Sequence, residues 1–208
     1  QDTAVSETGF DSAIVGLLEG LMPVGIAMVL LWVGCQEKDA VDDTGAPKWV
    51  QGLRLEPEEA REGDIIVVEQ RSGVDAAGWG GVLAVAAKAR GIQGVIIEGP
   101  ARDIDEYQKI GFPVFSRSTT PRTARGRIHE SGLNVEIKIG DVNVSAGDLV
   151  IADGTGVVFV TIRIAEVVIK KAEKIIALEK SMCESVLTGQ PITEVMGKDY
   201  ETLLETRN

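Results

Sequence analysis

Arg102 and Asp103 stand side by side at the end of the run GVIIEGPARD. An arginine offers a planar fork suited to a carboxylate, and an aspartate offers a hard oxygen ligand for Mg²⁺ or Mn²⁺. Upstream, Gly78, Gly80 and Gly81 surround Trp79 and open an alanine-rich stretch. Bare N–H groups at a helix N-terminus bind an anion, most simply a carboxylate. Each feature also has a plainer reading. The glycines could serve only a tight turn and close packing, and Arg102-Asp103 could be an ordinary ion pair at a helix start. No P-loop lysine follows the glycines directly and their spacing misses GxGxxG, so nucleotide binding is not supported.

The surrounding elements bring the two features together. Ile65–Val68 is an unbroken β-branched run, the pattern of a strand buried on both faces. A helix follows the glycine loop to about Arg90, and Gly94–Glu98 is a second buried strand ending next to Arg102-Asp103. In such a βαβ unit, ligands gather at the carboxyl ends of the parallel strands. The loop and the charged pair are therefore expected to converge on one cavity.

Elsewhere the spacing predicts a helix over Phe10–Leu21, a buried strand over Ile26–Val33 and a short helix over Pro57–Glu62. Ile104–Ile110 is read as a short helix ended by Gly111, and Phe112–Ser116 as a strand. Arg117–Ser131 reads as an exposed loop, its arginines Arg117, Arg122, Arg125 and Arg127 serving surface or intersubunit contacts, and its lone His129 facing solvent. Asn134–Ile139 and Val142–Val144 form a hairpin around Gly140-Asp141, and Asp148–Ala152 pairs with Val157–Ile162. Arg163–Leu187 is a long amphipathic helix broken by Gly189 and Pro191, and Tyr200–Glu205 is a short terminal one. βαβ connections mixed with hairpins imply an α/β fold, a β/β/α layered domain with a mixed sheet. Its expected extent is residues 1–162, with 163–208 a helical extension packing on a neighbouring subunit.

Composition narrows the function. A net charge of −11 over 208 residues disfavours nucleic-acid binding, which draws on Lys and Arg contacts with phosphates. A single histidine excludes any site needing two from one subunit. Cys35 and Cys183 match no metal or redox spacing and are read as free thiols, buried or half-buried, in a reducing cytoplasm. Leu21–Cys35 is uncharged but contains Pro23, Gly25 and Gly34 and falls short of the ~20 residues of a membrane span. No basic segment precedes it, so neither a signal peptide nor a membrane protein is expected.

WGGVLAVAAKARGIQGVIIEGPARD, followed by GFPVFSRSTTPR and GDLVIADGTGVVFV, resembles the RraA-like family. That family includes 4-hydroxy-4-methyl-2-oxoglutarate (HMG) and 4-carboxy-4-hydroxy-2-oxoadipate aldolases and the regulator of ribonuclease activity. The resemblance runs from about Gly63 to Val160. It implies a swivelling β/β/α fold, a homo-trimer or hexamer with sites between subunits, and substrate held on the loop Gly80, Gly81, Val82 and Leu83. It also implies that Arg102 grips the pyruvate-like end of the substrate, that Asp103 is the metal ligand, and that a neighbouring subunit sends in a glutamate, for which Glu179 is a candidate. Where the ribonuclease regulators have a non-ligand, this chain keeps Asp103, which favours the lyases. Two positions depart from the aldolase pattern: Glu98 replaces an aspartate, and Gly81 occupies a loop position that is often acidic.

The resulting expectation is a class II, metal-dependent carbon–carbon lyase. It would release pyruvate from a 2-oxo dicarboxylic acid by retro-aldol cleavage, or by decarboxylation of oxaloacetate, with Mg²⁺ or Mn²⁺ on Asp103 and Glu98 orienting a metal-bound water. Lys88, mid-helix and away from the strand ends, argues against a Schiff-base route. The rival expectations are a non-catalytic regulator whose acidic surface meets a basic partner, and an enzyme of the same scaffold acting on another oxo or hydroxy acid.

Overall fold

The computed structural model describes residues 24–34 and 62–196, within which nine strands and four helices are assigned. The chain divides into two compact units, Gln1–Thr161 and Ile162–Asn208.

The first unit is built on a mixed sheet in the order β4-β3-β2-β1-β8-β9. Its centre is β1 (Val24–Gly34), β2 (Ile65–Glu69) and β3 (Gly94–Ala101), all parallel, with β4 (Val114–Thr119) parallel to β3 at the edge. The antiparallel strands β8 (Leu149–Ala152) and β5 (Ile128–Leu133) border opposite ends of β1, and β9 (Val157–Val160) pairs with β8. Between β2 and β3 runs α1 (Gly81–Ala89), and between β3 and β4 runs α2 (Ile104–Ile110).

The continuous β-branched run in β2 is explained by its two covered faces. Ile66 and Val68 join Val95 and Ile97 of β3 in a core with Ala84 and Ala87 of α1 and Tyr107 of α2. Ile65 and Val67 point the other way with Ile96, into a second core closed by Ile137 and Ile139 of β6 (Ile137–Ile139) and Val144 of β7 (Val142–Val144). Helices, sheet and hairpin thus form three layers. Burial of each Ile or Val contributes roughly 1.5–3 kcal/mol, which is why the central strands contain no polar residue before Glu69 and Glu98.

A bulge in β3 separates its buried half from its functional end. Ile97 pairs with Ser116 and Pro100 with Ser118, so Glu98 and Gly99 together oppose Arg117. Only glycine fits at position 99, because a Cβ there would lie 2.9 Å from the carbonyl oxygen of Gln70. Beyond the bulge the chain runs beside the glycine loop. Trp79 bridges Ala101, the Gly78 amide donates to the Pro100 carbonyl (2.8 Å), and the Arg102 amide donates to the Trp79 carbonyl (3.1 Å). The approach to the loop is held by Gln70, which is buried and whose amide nitrogen donates to Ser72 Oγ and to the carbonyls of Val74 and Ala76.

The second unit contains α3 (Ile162–Leu187), 26 residues long, and α4 (Ile192–Val195). Among the described residues no helix is long and apolar enough to cross a membrane.

Several sequence expectations need correction. The segment read as the loop Arg117–Ser131 contains the end of β4 and the start of β5. Its strand signal is faint because β5 (IHESGL) buries only Ile128 fully and is otherwise half-exposed. His129 accordingly sits in a strand, opposite Val33, with its Nδ1 buried and without a partner, and does not face solvent freely. Arg117, Arg122 and Arg127 do make surface contacts as expected, with Glu98, Asp75 and the Thr123 carbonyl of the same chain. The hairpin strand is shorter than Asn134–Ile139, beginning only at Ile137 after Asn134 turns at φ 52°. Cys183 is exposed, not buried. The helices expected at Phe10–Leu21, Pro57–Glu62 and Tyr200–Glu205, and Cys35, fall wholly or almost wholly outside the described residues.

Candidate functional site

The glycine loop and the Arg-Asp pair meet. Helix α1 starts with Gly80 as its N-cap, which has no side chain to satisfy the first-turn amides. Asp103 supplies that acceptor from the neighbouring element, its Oδ2 lying 2.9 Å from the Gly81 nitrogen. Arg102 Nη1 stands 3.4 Å from the same carboxylate, and both side chains remain partly open, 38% and 26% exposed. Val82, one residue into the helix, is 78% exposed, and Leu83 turns back toward the core. A Cβ on Gly80 would stand 3.1 Å from both Arg102 Nε and Asp103 Oδ2. The bare peptide therefore lets a guanidinium and a carboxylate close on the helix start.

Asp103 itself is unusual. It adopts a left-handed backbone (φ 65°, ψ 40°), and although it is the N-cap of α2 its side chain makes no bond to that helix. The left-handed turn aims the carboxylate across to α1 instead. Four residues on, Tyr107 is 3% exposed and its hydroxyl donates to the Arg102 carbonyl. Burial pushes the phenol well above its ordinary value, with the Asp103 carboxylate adding to the shift, so it stays a protonated donor at neutral pH.

Glu106 is a residue that the sequence reading passed over. It lies one helical turn beyond Asp103, and its carboxylate occupies the space that a Cβ on Gly81 would need. The loop position that lacks an acidic side chain is thus covered by an acid from α2. The available signal was an acid in the first turn of the helix that starts directly after Asp103. What it faces is a tertiary matter.

Glu98 is not brought to this cluster. It follows Ile96 on the hairpin side of the sheet, where its Oε2 accepts from Arg117 Nε (2.9 Å) and from the Gly140 amide (2.9 Å). There it borders a cavity of about 780 Å³ with Ser116, Arg117, Asp141 and Phe159, whose lining also includes Ile104, the residue after Asp103. Glu179 is on α3 in the second unit, beside a shallow apolar cleft formed with Met182 and Met196.

Among the described residues no group of three or more His, Cys, Asp or Glu side chains meets as a metal cage. The donors at the glycine loop are the two carboxylates of Asp103 and Glu106. That set fits Mg²⁺ or Mn²⁺, hard ions that are held by one or two carboxylates and keep several waters.

Comparison with known proteins agrees with this architecture. An uncharacterised protein of Methanocaldococcus jannaschii is 30% identical over 118 residues, 57% of this chain and 56% of that protein. A Halalkalibacterium halodurans protein with the provisional name 4-hydroxy-4-methyl-2-oxoglutarate aldolase is 34% identical over 116 residues, 56% of this chain and 55% of its own. The chain thus spans about half the length of these curated relatives. In structure it is similar to Streptomyces coelicolor RraAS2, described as an unusual member of the RNase ES inhibitor RraA protein family. The TM-score is 0.65 at 24% identity, over 76% of this chain and 75% of that one, a likeness of fold. The family model RraA-like (Aldolase/RraA) matches residues 38–159, more than half of the chain, and so this protein belongs to the RraA-like family.

Proposed function

We propose that the protein is a divalent-metal-dependent lyase releasing pyruvate from a 2-oxo dicarboxylic acid, either by retro-aldol cleavage of an HMG-like substrate or by decarboxylation of oxaloacetate. The observation that carries this reading is the meeting of Arg102, Asp103 and Glu106 over the bare Gly80–Gly81 peptide at the start of α1.

Arg102 binds the carboxylate of the pyruvyl half beside the N-terminus of α1, where the Gly81 amide is already held by Asp103 and the Leu83 amide by the Gly80 carbonyl. Holding that charge in place before bond cleavage removes part of the orientational cost of the reaction. Asp103 would hold Mg²⁺ or Mn²⁺, with the Glu106 carboxylate beside it over Gly81. When bound, such an ion supplies a Lewis acid for the keto group, favouring the enolate that forms as the carbon–carbon bond breaks. In the retro-aldol reaction the substrate's hydroxyl proton leaves as its C–O becomes a carbonyl. The Glu106 carboxylate, directly or through a water, is the acceptor for it in this chain. The pyruvate enolate then takes up a proton. In the decarboxylation the same enolate forms as CO₂ departs.

This places the proton acceptor on Glu106 and leaves Glu98 as a support for the hairpin. Substrate choice, a homo-trimeric or hexameric assembly and a glutamate such as Glu179 from a second subunit belong to the same proposal. The test is pyruvate release from HMG and from oxaloacetate, coupled to lactate dehydrogenase, with Mg²⁺ and then with EDTA. Metal-dependent pyruvate that disappears in Asp103→Ala supports the lyase. A folded protein silent with both substrates overturns it and favours either an enzyme of the same scaffold acting on another oxo or hydroxy acid, or a binding role for the acidic surface as in the ribonuclease regulators.

A further inference from the structure

We infer that Tyr107 is a positioning residue for the site: its hydroxyl grips the Arg102 carbonyl and thereby holds Asp103 in the left-handed turn that aims its carboxylate at α1. This inference rests on the proposed role of Asp103 for its functional meaning, while its geometry stands independently.

Among the described residues only Asp103 and Asn134 combine a side chain with a positive φ. Such a backbone is disfavoured for an L residue and persists where its surroundings hold it. The φ of Asp103 is the torsion that swings the preceding peptide, and with it the Arg102 carbonyl, around the Asp103 Cα. To hold that carbonyl is to hold φ. The Arg102 peptide is held from both sides, its N–H by the Trp79 carbonyl (3.1 Å) and its C=O by the Tyr107 hydroxyl. On the other side of Asp103, its own carbonyl accepts from the Glu106 and Tyr107 amides (3.1 and 3.4 Å), which starts α2. Tyr107 therefore touches both flanks of the turn, and its ring cannot retreat because it is buried in the helix-side core. The result is that Asp103 gives up capping its own helix and caps α1 through Gly81.

A buried tyrosine hydroxyl needs an acceptor wherever it lies, so the experiment must separate positioning from simple satisfaction. Tyr107→Phe keeps the ring and removes one oxygen. Phe112→Leu, a loss in the same core away from the Arg102 carbonyl, is the control. The expected result is that Tyr107→Phe shifts the Gly81 amide resonance upfield and speeds its solvent exchange, while Phe112→Leu lowers the melting temperature but leaves that amide in place. Mn²⁺ affinity, read by electron paramagnetic resonance, is expected to weaken by about tenfold or more in Tyr107→Phe, as when an outer partner of a metal ligand is removed. An unmoved Gly81 amide in Tyr107→Phe, or an equal shift in Phe112→Leu, overturns the inference.

A second set of variants tests the torsion itself. Glycine enters the left-handed region without strain, so Tyr107→Phe is expected to cost less stability in an Asp103→Gly background than in the wild type. Equal costs in both backgrounds overturn the inference. The Gly81 readout needs neither metal nor turnover. If it responds while the wild type binds no Mn²⁺, the lyase reading falls and the positioning stands; if Mn²⁺ binds but the amide does not respond, the reverse holds.

Discussion

Glu98 and Asp103, five residues apart along one strand exit, serve opposite faces of the sheet. The first accepts from Arg117 and Gly140 on the hairpin side, and the second accepts from Gly81 on the helix side. The bulge at Glu98-Gly99 lies between them and permits the change of direction. The two carboxylates should therefore respond differently to substitution.

Asp103→Asn keeps a residue that tolerates the left-handed backbone and an oxygen that accepts from Gly81, but it removes the charge. A melting temperature close to wild type is expected, together with loss of Mn²⁺ binding and of metal-dependent pyruvate release. Calorimetric titration with Mn²⁺ beside thermal denaturation checks both halves.

Glu98→Ala leaves the Gly140 amide and the Arg117 guanidinium without their acceptor. Loss of hydrogen bonds to a charged group costs roughly 1.5–3 kcal/mol, and because Arg117 is 60% exposed the lower end is expected. Urea denaturation measures it. Mn²⁺ affinity is expected to stay within about twofold, which distinguishes a hairpin support from a member of the site.

Gly81→Ala introduces a methyl where the Glu106 carboxylate now lies. Glu106 is long and its end can swing away, and alanine gains up to ~1 kcal/mol of helix propensity over glycine. Stability is thus expected to hold or rise slightly while turnover falls by about a hundredfold or more, the scale of a lost general base. A coupled pyruvate assay alongside a melting curve reads this opposition. Gly99→Ala is the contrast: its methyl meets a backbone oxygen of Gln70, and a loss of about 1–3 kcal/mol is expected.

Asp153 caps the β8–β9 turn, its Oδ1 accepting from the amides of Thr155 (2.7 Å) and Gly156 (3.1 Å). These bonds favour the carboxylate and hold its pKa below the ordinary 3.8. A depressed folded-state pKa adds stability that is fully present above the unfolded value and is lost as pH falls through the folded one. The melting temperature of Asp153→Ala is expected below wild type at neutral pH, with the gap closing in the window below 3.8. Paired thermal scans across acid pH check the sign.

The central βαβ unit was legible because its signals are local. Ile65–Val68 and Gly94–Glu98 are continuous apolar runs whose only solution is burial on two faces, and Gly78–Gly81 marks the helix start. Arg102 and Asp103 could be found from residue type and from their place at a strand end. Strand β5 was not legible, since its pairing with β1 is long-range and IHESGL has neither a continuous apolar run nor clean alternation. Glu106 and Tyr107 were hidden for another reason. One owes its place to a methyl absent 25 positions upstream, the other to a carbonyl five residues back. The division of Glu98 from Asp103 needed the bulge, which shows only once strand register is known.

Helix α1 has no cap of its own and takes one from Asp103, 22 residues later. Its first turn and the junction of β3 with α2 are consequently one unit of local unfolding: the Gly81 amide can exchange with solvent only when the two part. Any ligand that requires them joined draws on that equilibrium and raises the protection of both segments together.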